Sequence, residues 1–289
     1  MSVVLLTGAS RGLGSVTAGA FARAGHQVFG GVRSETAAAA LASLATTEGL
    51  SIQPVLLDVT SDSSVATAIE HVRRATDRID ILIANAGIGY PGPVEFTPDD
   101  VVRNVFETNT FGLLRLLRAI LPIMREQHSG TIIAVTSLSG AVPAPGMGVY
   151  AASKHAVTAL MEALWLEVAP FGIRVACFEP GPFRTAITDQ FNAKRTNEAE
   201  SPYDPLLDEL RERRMARLAR AEDAASIADL VVQAACGEDT PLHVPIGELA
   251  QRELGQSGGP PLRYLQHLRA EITGRSPIDN EDGNELFLG

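Results

Sequence analysis

Short apolar and β-branched runs alternate with longer stretches of helical period along most of this chain, and that rhythm leaves few architectures open. The runs at 3–6, 26–32, 52–57, 79–84, 131–136 and 173–178 have the length and composition of strands, and a last strand is expected at 242–246. Between them, apolar residues recur at helical spacing over 12–24, 35–47, 61–76, 98–127 in two pieces, 149–171 and 224–236. Strands apolar along their whole length are covered on both faces, and parallel neighbours need a crossover that a helix supplies. The expected fold is therefore α/β, a doubly wound parallel sheet of about seven strands with helices on both faces. No strand-free block is large enough for a second unit, so 1–254 is expected to form a single domain. Residues 186–223 differ in texture, being rich in Arg, Glu and Pro; following a strand end, they are expected to be a lid or substrate loop over a ligand crevice. Residues 255–289 form a C-terminal extension: a Gly and Pro run, one amphipathic stretch at 262–272, then an acidic and partly mobile end.

Charge narrows the partners. The 289 residues carry 24 Lys and Arg against 34 Asp and Glu, a formal net charge of -10, which argues against nucleic acid or an anionic membrane as the binding target. Any phosphate on a ligand must be met locally. No apolar run reaches the roughly 18 residues of a spanning helix. Met1 leads straight into a strand without a basic flank, and Cys177 lies in an apolar run where a buried core thiol is expected. A cytoplasmic, reducing setting follows as the expectation. His26, His71, His128, His155, His243 and His267 show no metal-ligand spacing, so no metal is expected.

Directly after the first strand come Thr7, Gly8, Ala9, Ser10, Arg11, Gly12, Leu13 and Gly14, which open a helix. Glycines let the backbone turn sharply and approach a pyrophosphate, while the N–H groups of the helix start offer it donors. A glycine turn alone is equally a tight strand-to-helix connection; its position behind the first strand is what favours a dinucleotide. At the end of the second strand, where NAD-selective sites place an acid, stand Val32 and Arg33. A guanidinium there can fork onto a 2′-phosphate, and Arg11 can close on the same group, which favours NADP(H). Glu35 lies near the usual acidic spacing and keeps NAD(H) open.

Tyr150 and Lys154 are four apart on an expected helix and share one face. Such a pair is ordinarily a solvated surface pair. Ser137 lies thirteen residues before Tyr150, at the end of the fifth strand, with Ser139 as a competing serine. A phenol titrates near ~10, and an adjacent ammonium and a positively charged nicotinamide would both favour its ionised form. Taken together, the turn at 7–14, Asp58 and Val59 after the third strand, Asn85, Ala86 and Gly87 after the fourth, Asn109, Ser137, Tyr150, Lys154, and the segment from Pro180 to Thr185 resemble the short-chain dehydrogenase/reductase family over residues 3–247. The branch is the shorter, single-domain one, and 153–182 is similar to its hydroxysteroid and retinol dehydrogenase group.

The resemblance implies a Rossmann-type dinucleotide-binding domain that transfers a hydride between nicotinamide and a carbonyl or alcohol carbon. It implies that Tyr150 moves the proton, Ser137 holds the substrate oxygen, Lys154 holds the nicotinamide ribose, and Asn109 maintains a water that feeds protons to Lys154. For the cofactor it implies Gly8, Ser10, Arg11, Gly12, Leu13, Gly14 and Arg33 at the phosphate end, and Asp58 and Val59 beside the adenine. Asn85, Ala86 and Gly87 would form the floor, with Pro180, Gly181, Phe183 and Thr185 near the carboxamide. Read on their own, Asp58 is also a turn-forming residue and Asn109 also a helix kink or cap. Substrate walls are expected from Ser139, Val142, Met147 and Phe191, a lining that favours a bulky hydrophobic ketone or secondary alcohol, steroid-like in size. Homodimers or homotetramers built on the helices at 98–127 and 149–171 are implied by the same resemblance. Three alternatives stand beside it: a non-catalytic NADP-binding sensor, a sugar-nucleotide epimerase of the longer branch, and a scaffold that uses the 255–289 tail.

Overall fold

A computed structural model describes residues 1–183, 201–218, 224–237 and 240–255. Seven strands, β1 (Val3–Thr7), β2 (Gln27–Val32), β3 (Ile52–Leu56), β4 (Ile81–Ala84), β5 (Gly130–Val135), β6 (Ile173–Pro180) and β7 (His243–Ile246), form one sheet in the order β3-β2-β1-β4-β5-β6-β7. Every neighbouring pair is parallel. The order reverses between β1 and β4, so a crevice opens at the carboxyl ends of these two strands.

Alternation along each strand feeds two cores. Val4, Leu6, Val28 and Ile83 point to one face, where they meet Phe21 of α1 (Gly12–Arg23), Leu41 of α2 (Glu35–Glu48) and Val231 of the helix Ala224–Cys236. Val3, Leu5, Phe29 and Leu82 point to the other, onto Val72 of α3 (Asp62–Thr76), Ile120 of α5 (Gly112–Gln127) and Met161 of α6 (Gly148–Glu167). A period of two on the strands and apolar stripes on six helices are thus satisfied together. Each fully buried aliphatic or aromatic side chain of this kind contributes roughly 2 kcal/mol. Cys177 is fully buried within the second core, and burial pushes its thiol well above the ordinary range.

The helical stretch expected in two pieces over 98–127 consists of α4 (Asp99–Phe106) and α5, joined by a π-helical turn at Glu107–Phe111. The stretch 149–171 is interrupted: α6 ends at Glu167 and a 3-10 turn with Pro170 covers Ala169–Phe171. Part of the expected loop over 186–223 is helical. Asp204–Leu218 forms α7, with Ser201 Oγ accepting from Tyr203 N at 3.2 Å and Asp204 Oδ2 accepting from Ser201 N at 2.7 Å just ahead of it. Its Leu, Glu, Arg and Met content is good helix-forming material that the charge density masked. The helix Ala224–Cys236 is α8, and a further short helix, α9 (Glu248–Gly255), follows β7. The expected amphipathic stretch at 262–272 lies outside the described residues. Both sheet borders carry a proline at their centre, Pro54 in β3 and Pro245 in β7. Among the described residues, no helix is long and apolar enough to cross a membrane.

Candidate active site

One cavity of about 1160 Å³ runs along the carboxyl ends of the strands. Its wall includes Gly8, Ser10, Arg11, Gly12, Leu13 and Gly14 after β1, Arg33 after β2, Asp58 and Val59 after β3, and Asn85, Ala86 and Gly87 after β4. Ser137, Ser139, Val142 and Met147 follow β5, Tyr150 and Lys154 come from α6, and Pro180, Gly181 and Phe183 close the far side. Thr185 and Phe191 lie outside the described residues. Open α/β sheets concentrate strand ends from distant parts of a chain at one edge, which is why segments far apart in sequence share this wall.

At the end formed by β1, the turn is set by backbone that only glycine adopts without strain: Gly8 has φ 73° and Gly12 φ 58°. A Cβ on Gly14 would lie 2.1 Å from the Gly8 carbonyl oxygen and 2.6 Å from Asn85 Nδ2. Asn85 Nδ2 donates to Thr7 O at 3.0 Å, and Thr7 Oγ1 accepts from the backbone N–H groups of Asn85 (3.1 Å) and Ala86 (3.0 Å). This clamp ties the ends of β1 and β4 together beneath the turn. Arg11 at the N-cap of α1 makes no side-chain capping hydrogen bond, so the helix start presents its N–H groups to the cavity wall rather than to a cap. The bare glycine cradle and an uncapped helix start fit the pyrophosphate of a dinucleotide.

Arg11 and Arg33 are both exposed and both line this end, together with Ser34. Glu35 is exposed and does not line the cavity; it opens α2, which Ser34 caps by accepting from Ala37 N at 3.2 Å. Asp58 plays two parts at once. Its Oδ1 accepts from Thr60 N at 2.9 Å and Thr60 Oγ1 at 2.8 Å, a side-chain turn, while the residue also lines the cavity.

At the other end, Tyr150 and Lys154 are 5% and 4% exposed, which removes the solvated surface pair as a reading. Ser137 sits just past β5 with its Oγ accepting from Ser139 N at 3.1 Å, and its side chain is hydrogen-bonded to Tyr150. Ser139 supports Ser137 through its backbone. Lys154 Nζ donates to Val135 O at 2.8 Å and stands 5.9 Å from the centre of the Tyr150 ring. Burial pushes the Tyr150 phenol up to about 12, with the hydrogen bond to Ser137 pulling weakly the other way. Burial brings Lys154 down to about 8. Without a bound dinucleotide, desolvation is the larger influence on the phenol, and the amine is aimed at a carbonyl. The direction of that shift favours the protonated phenol beside Ser137.

Asn109 lies in the π-helical turn, 4% exposed and behind Lys154 rather than in the main wall. Its Oδ1 accepts from Ile88 N at 2.8 Å, and its Nδ2 donates to Ile88 O at 2.9 Å and Ser153 Oγ at 3.0 Å. Ser153 Oγ in turn donates to Tyr150 O at 2.7 Å. Asn109, Thr108, Val135 and Lys154 also line a second cavity of about 10 Å³. That volume is near the lower limit for one water.

Within the segment 186–223 expected over the crevice, Leu210 and Arg213 of α7 line the main cavity, as do Ile227 of α8 and Leu249, Arg252 and Glu253 of α9, to which the sequence does not point. The i, i+3 spacing of Leu207, Leu210 and Arg213 was the available signal, hidden inside a segment read as a loop. Among the described residues of this wall, Arg11, Arg33, Lys154, Arg213 and Arg252 stand against Asp58 and Glu253, a local excess of positive charge in a protein of net charge -10.

A family model for short chain dehydrogenases matches residues 2–196. A 3-ketodihydrosphingosine reductase from Bacteroides thetaiotaomicron is 36% identical over 211 residues, 72% of this chain and 74% of that protein. Among solved structures, a short-chain dehydrogenase from Streptomyces avermitilis superposes with a TM-score of 0.76 at 34% identity, covering 94% of this chain and 95% of the other. The actinorhodin polyketide ketoreductase with NADPH gives a TM-score of 0.70 at 26% identity, over 80% and 88% of the two chains. With two thirds of its length under one family model and the same sheet order carrying the matched residues to a single crevice, this chain belongs to the short-chain dehydrogenase family of oxidoreductases.

Proposed function

We propose that the protein is an NADP(H)-dependent ketoreductase and secondary-alcohol dehydrogenase acting on a bulky, largely hydrophobic ketone. The observation that carries this reading is the buried Tyr150 hydroxyl, paired with Ser137 at one end of a cavity whose other end is a bare glycine cradle flanked by two arginines. Gly8, Ser10, Gly12, Leu13 and Gly14 would hold the pyrophosphate, Arg11 and Arg33 a 2′-phosphate, and Asp58 and Val59 the adenine. Asn85, Ala86 and Gly87 would form the floor, and Pro180, Gly181 and Phe183 the nicotinamide end. When bound, the reduced dinucleotide supplies the hydride that the carbonyl carbon takes up.

In reduction, Ser137 donates a hydrogen bond to the carbonyl oxygen, and Tyr150 transfers its phenolic proton to that oxygen as negative charge builds there. The O–H bond of Tyr150 breaks and the O–H bond of the alcohol forms. Lys154, set between Tyr150 and the cavity of one-water size beside Asn109, returns a proton toward the phenolate. The Asn109 side chain is anchored to Ile88 and Ser153 and fixes the π-helical turn beside that cavity. In oxidation the phenolate accepts the alcohol proton; burial opposes that form, while the adjacent ammonium and a positively charged nicotinamide would favour it.

Val142, Pro143, Met147, Phe183, Leu210 and Leu249 support a hydrophobic substrate body. A homodimer or homotetramer and a cytoplasmic setting complete the proposal. The decisive measurement is turnover of hydrophobic ketones with NADPH and NADH beside a Tyr150→Phe control. That variant is expected to lose at least about a hundredfold in turnover while still binding the dinucleotide; equal activity would contradict the assignment. No reduction of any ketone by the unmodified chain would favour a dinucleotide-binding sensor instead.

A further inference from the structure

Helix α7 is attached across the substrate end of the cavity by contacts that the proposed chemistry does not use. Tyr203, one residue before the helix, donates its hydroxyl to Glu95 Oε2 at 2.8 Å, across 108 residues of sequence. Its ring also stands edge-on to Phe96, with centroids 6.0 Å apart. Glu95 and Phe96 belong to the 3-10 turn Val94–Phe96, just past the segment after β4. One turn further along α7, Leu207 packs so closely on Gly146, which has φ 72°, that a Cβ there would meet it at 2.5 Å. Gly146 O in turn accepts from Gly92 N at 2.9 Å. The start of α7, the turn after β4 and the segment before Tyr150 are thereby closed into one ring of contacts. Leu210 and Arg213, on the same side of α7 as Leu207, enter the cavity wall.

We infer that the Tyr203–Glu95 pair is a latch that fixes α7 as a wall of the substrate end, making both residues positioning residues for substrate rather than for the dinucleotide. Helix α7 has a low apolar content, and among the described residues its start is held by this hydrogen bond, the ring contact and Leu207 on Gly146, so loss of the hydrogen bond raises how often it departs. Departure removes Leu210 and Arg213 from the wall and leaves the glycine turn, Ser137, Tyr150 and Lys154 untouched. Neither Tyr203 nor Glu95 lines the cavity, so their effect on substrate passes through α7.

The kinetic part of this inference rests on the ketone reduction proposed above; the structural part does not. In the full chain without ligand, Tyr203→Phe keeps the ring against Phe96 and removes only the donor. Amide hydrogen exchange over 201–218 is expected to speed up by about three- to tenfold, the equilibrium equivalent of one net hydrogen bond, with the sheet strands unchanged. Glu95→Gln keeps an acceptor and is expected to stay near the unmodified rate, while Glu95→Ala matches Tyr203→Phe, and the two losses combined do not add. Exchange at the unmodified rate in Tyr203→Phe, or faster exchange spread evenly over the sheet, would overturn the latch. For the substrate role, Tyr203→Phe is expected to raise KM for the ketone with kcat and NADPH binding held within about twofold; a fall in kcat at constant KM would overturn it. If the unmodified chain reduces no ketone at all, the functional reading falls while the exchange experiment still decides the latch.

Discussion

The two ends of the cavity are built on opposite principles. The end at β1 and β2 is backbone: two left-handed glycines, a third glycine that touches a carbonyl, and a helix start without a side-chain cap. The end around Tyr150 is side chain, drawn from α6, α7, α8, α9 and the segment 138–147, with few backbone constraints shared between them. A backbone site tolerates no substitution where atoms already touch but recognises a group common to many ligands. A side-chain site accepts changes one by one, and its specificity changes with them. The first end suits a constant cofactor and the second a variable substrate.

That contrast breaks most sharply at Gly14. Gly14→Ala places a methyl 2.1 Å from the Gly8 carbonyl, where only a shift of the turn relieves the overlap. Dinucleotide affinity is expected to fall by more than about a hundredfold, as for a closely fitted site displaced by about 1 Å; calorimetric titration showing near-native affinity would mean the turn is not the cradle. Arg33, like Arg11, is an exception at this end, a side chain on the backbone site. Arg33→Ala is expected to weaken NADPH by about ten- to a hundredfold, the loss of one charge-assisted contact, and to leave NADH nearly unchanged. Equal weakening of both would remove the preference for the 2′-phosphate.

A third probe lies at the foot of the side-chain end, where His243 of β7 bridges Glu179 (2.9 Å) on β6 and Glu162 (3.2 Å) on α6. Burial by itself lowers the imidazole, but hydrogen bonds and charge attraction from Glu162 and Glu179 outweigh it and raise His243 to about 9. A folded value above the ordinary ~6.5 means that the stabilisation is complete below about 6.5 and is lost as pH rises toward 9. Denaturant titrations of unmodified protein and His243→Gln are expected to differ by about 1–2 kcal/mol more at pH ~6 than at pH ~9.5. A pH-independent gap would place the raised imidazole in doubt. The smallest expected effect is at Leu210, where Leu210→Ala is expected to shift KM for a hydrophobic ketone by about three- to tenfold without touching dinucleotide affinity. A matching loss of dinucleotide affinity would show that the two ends are not separate.

The sequence announced the backbone end almost completely, because glycine spacing and parallel-strand periodicity are local signals that tertiary context enforces rather than changes. The sheet of seven parallel strands, the turn at 7–14 and Arg33 in its wall follow from such signals. The spacing of Tyr150 and Lys154 likewise put both on one helical face. Their electrostatics was not legible: whether burial or the neighbouring amine controls a phenol depends on where the amine points, and Val135 O could not be anticipated from spacing. Arg213 and Arg252 were missed for a similar reason, since exposed charges at helical spacing look the same whether they face water or a crevice. Helix α7 was missed because its charge density resembles that of a loop, although its residues favour a helix.

The two border strands carry a further implication. On β7, Leu242 O accepts from Cys177 N and Ile246 O from Gly181 N, so by alternation Pro245 turns its missing N–H outward. On β3, Ser51 O accepts from Val28 N and Leu57 N donates to Val32 O, which places Pro54 outward in the same way. An incoming strand would find a vacant donor position at the middle of either rim, so the sheet resists growing by an eighth member. Strand addition at either rim would form an incomplete ladder, so a brief partial opening of the molecule offers poor templates for fibril-like stacking.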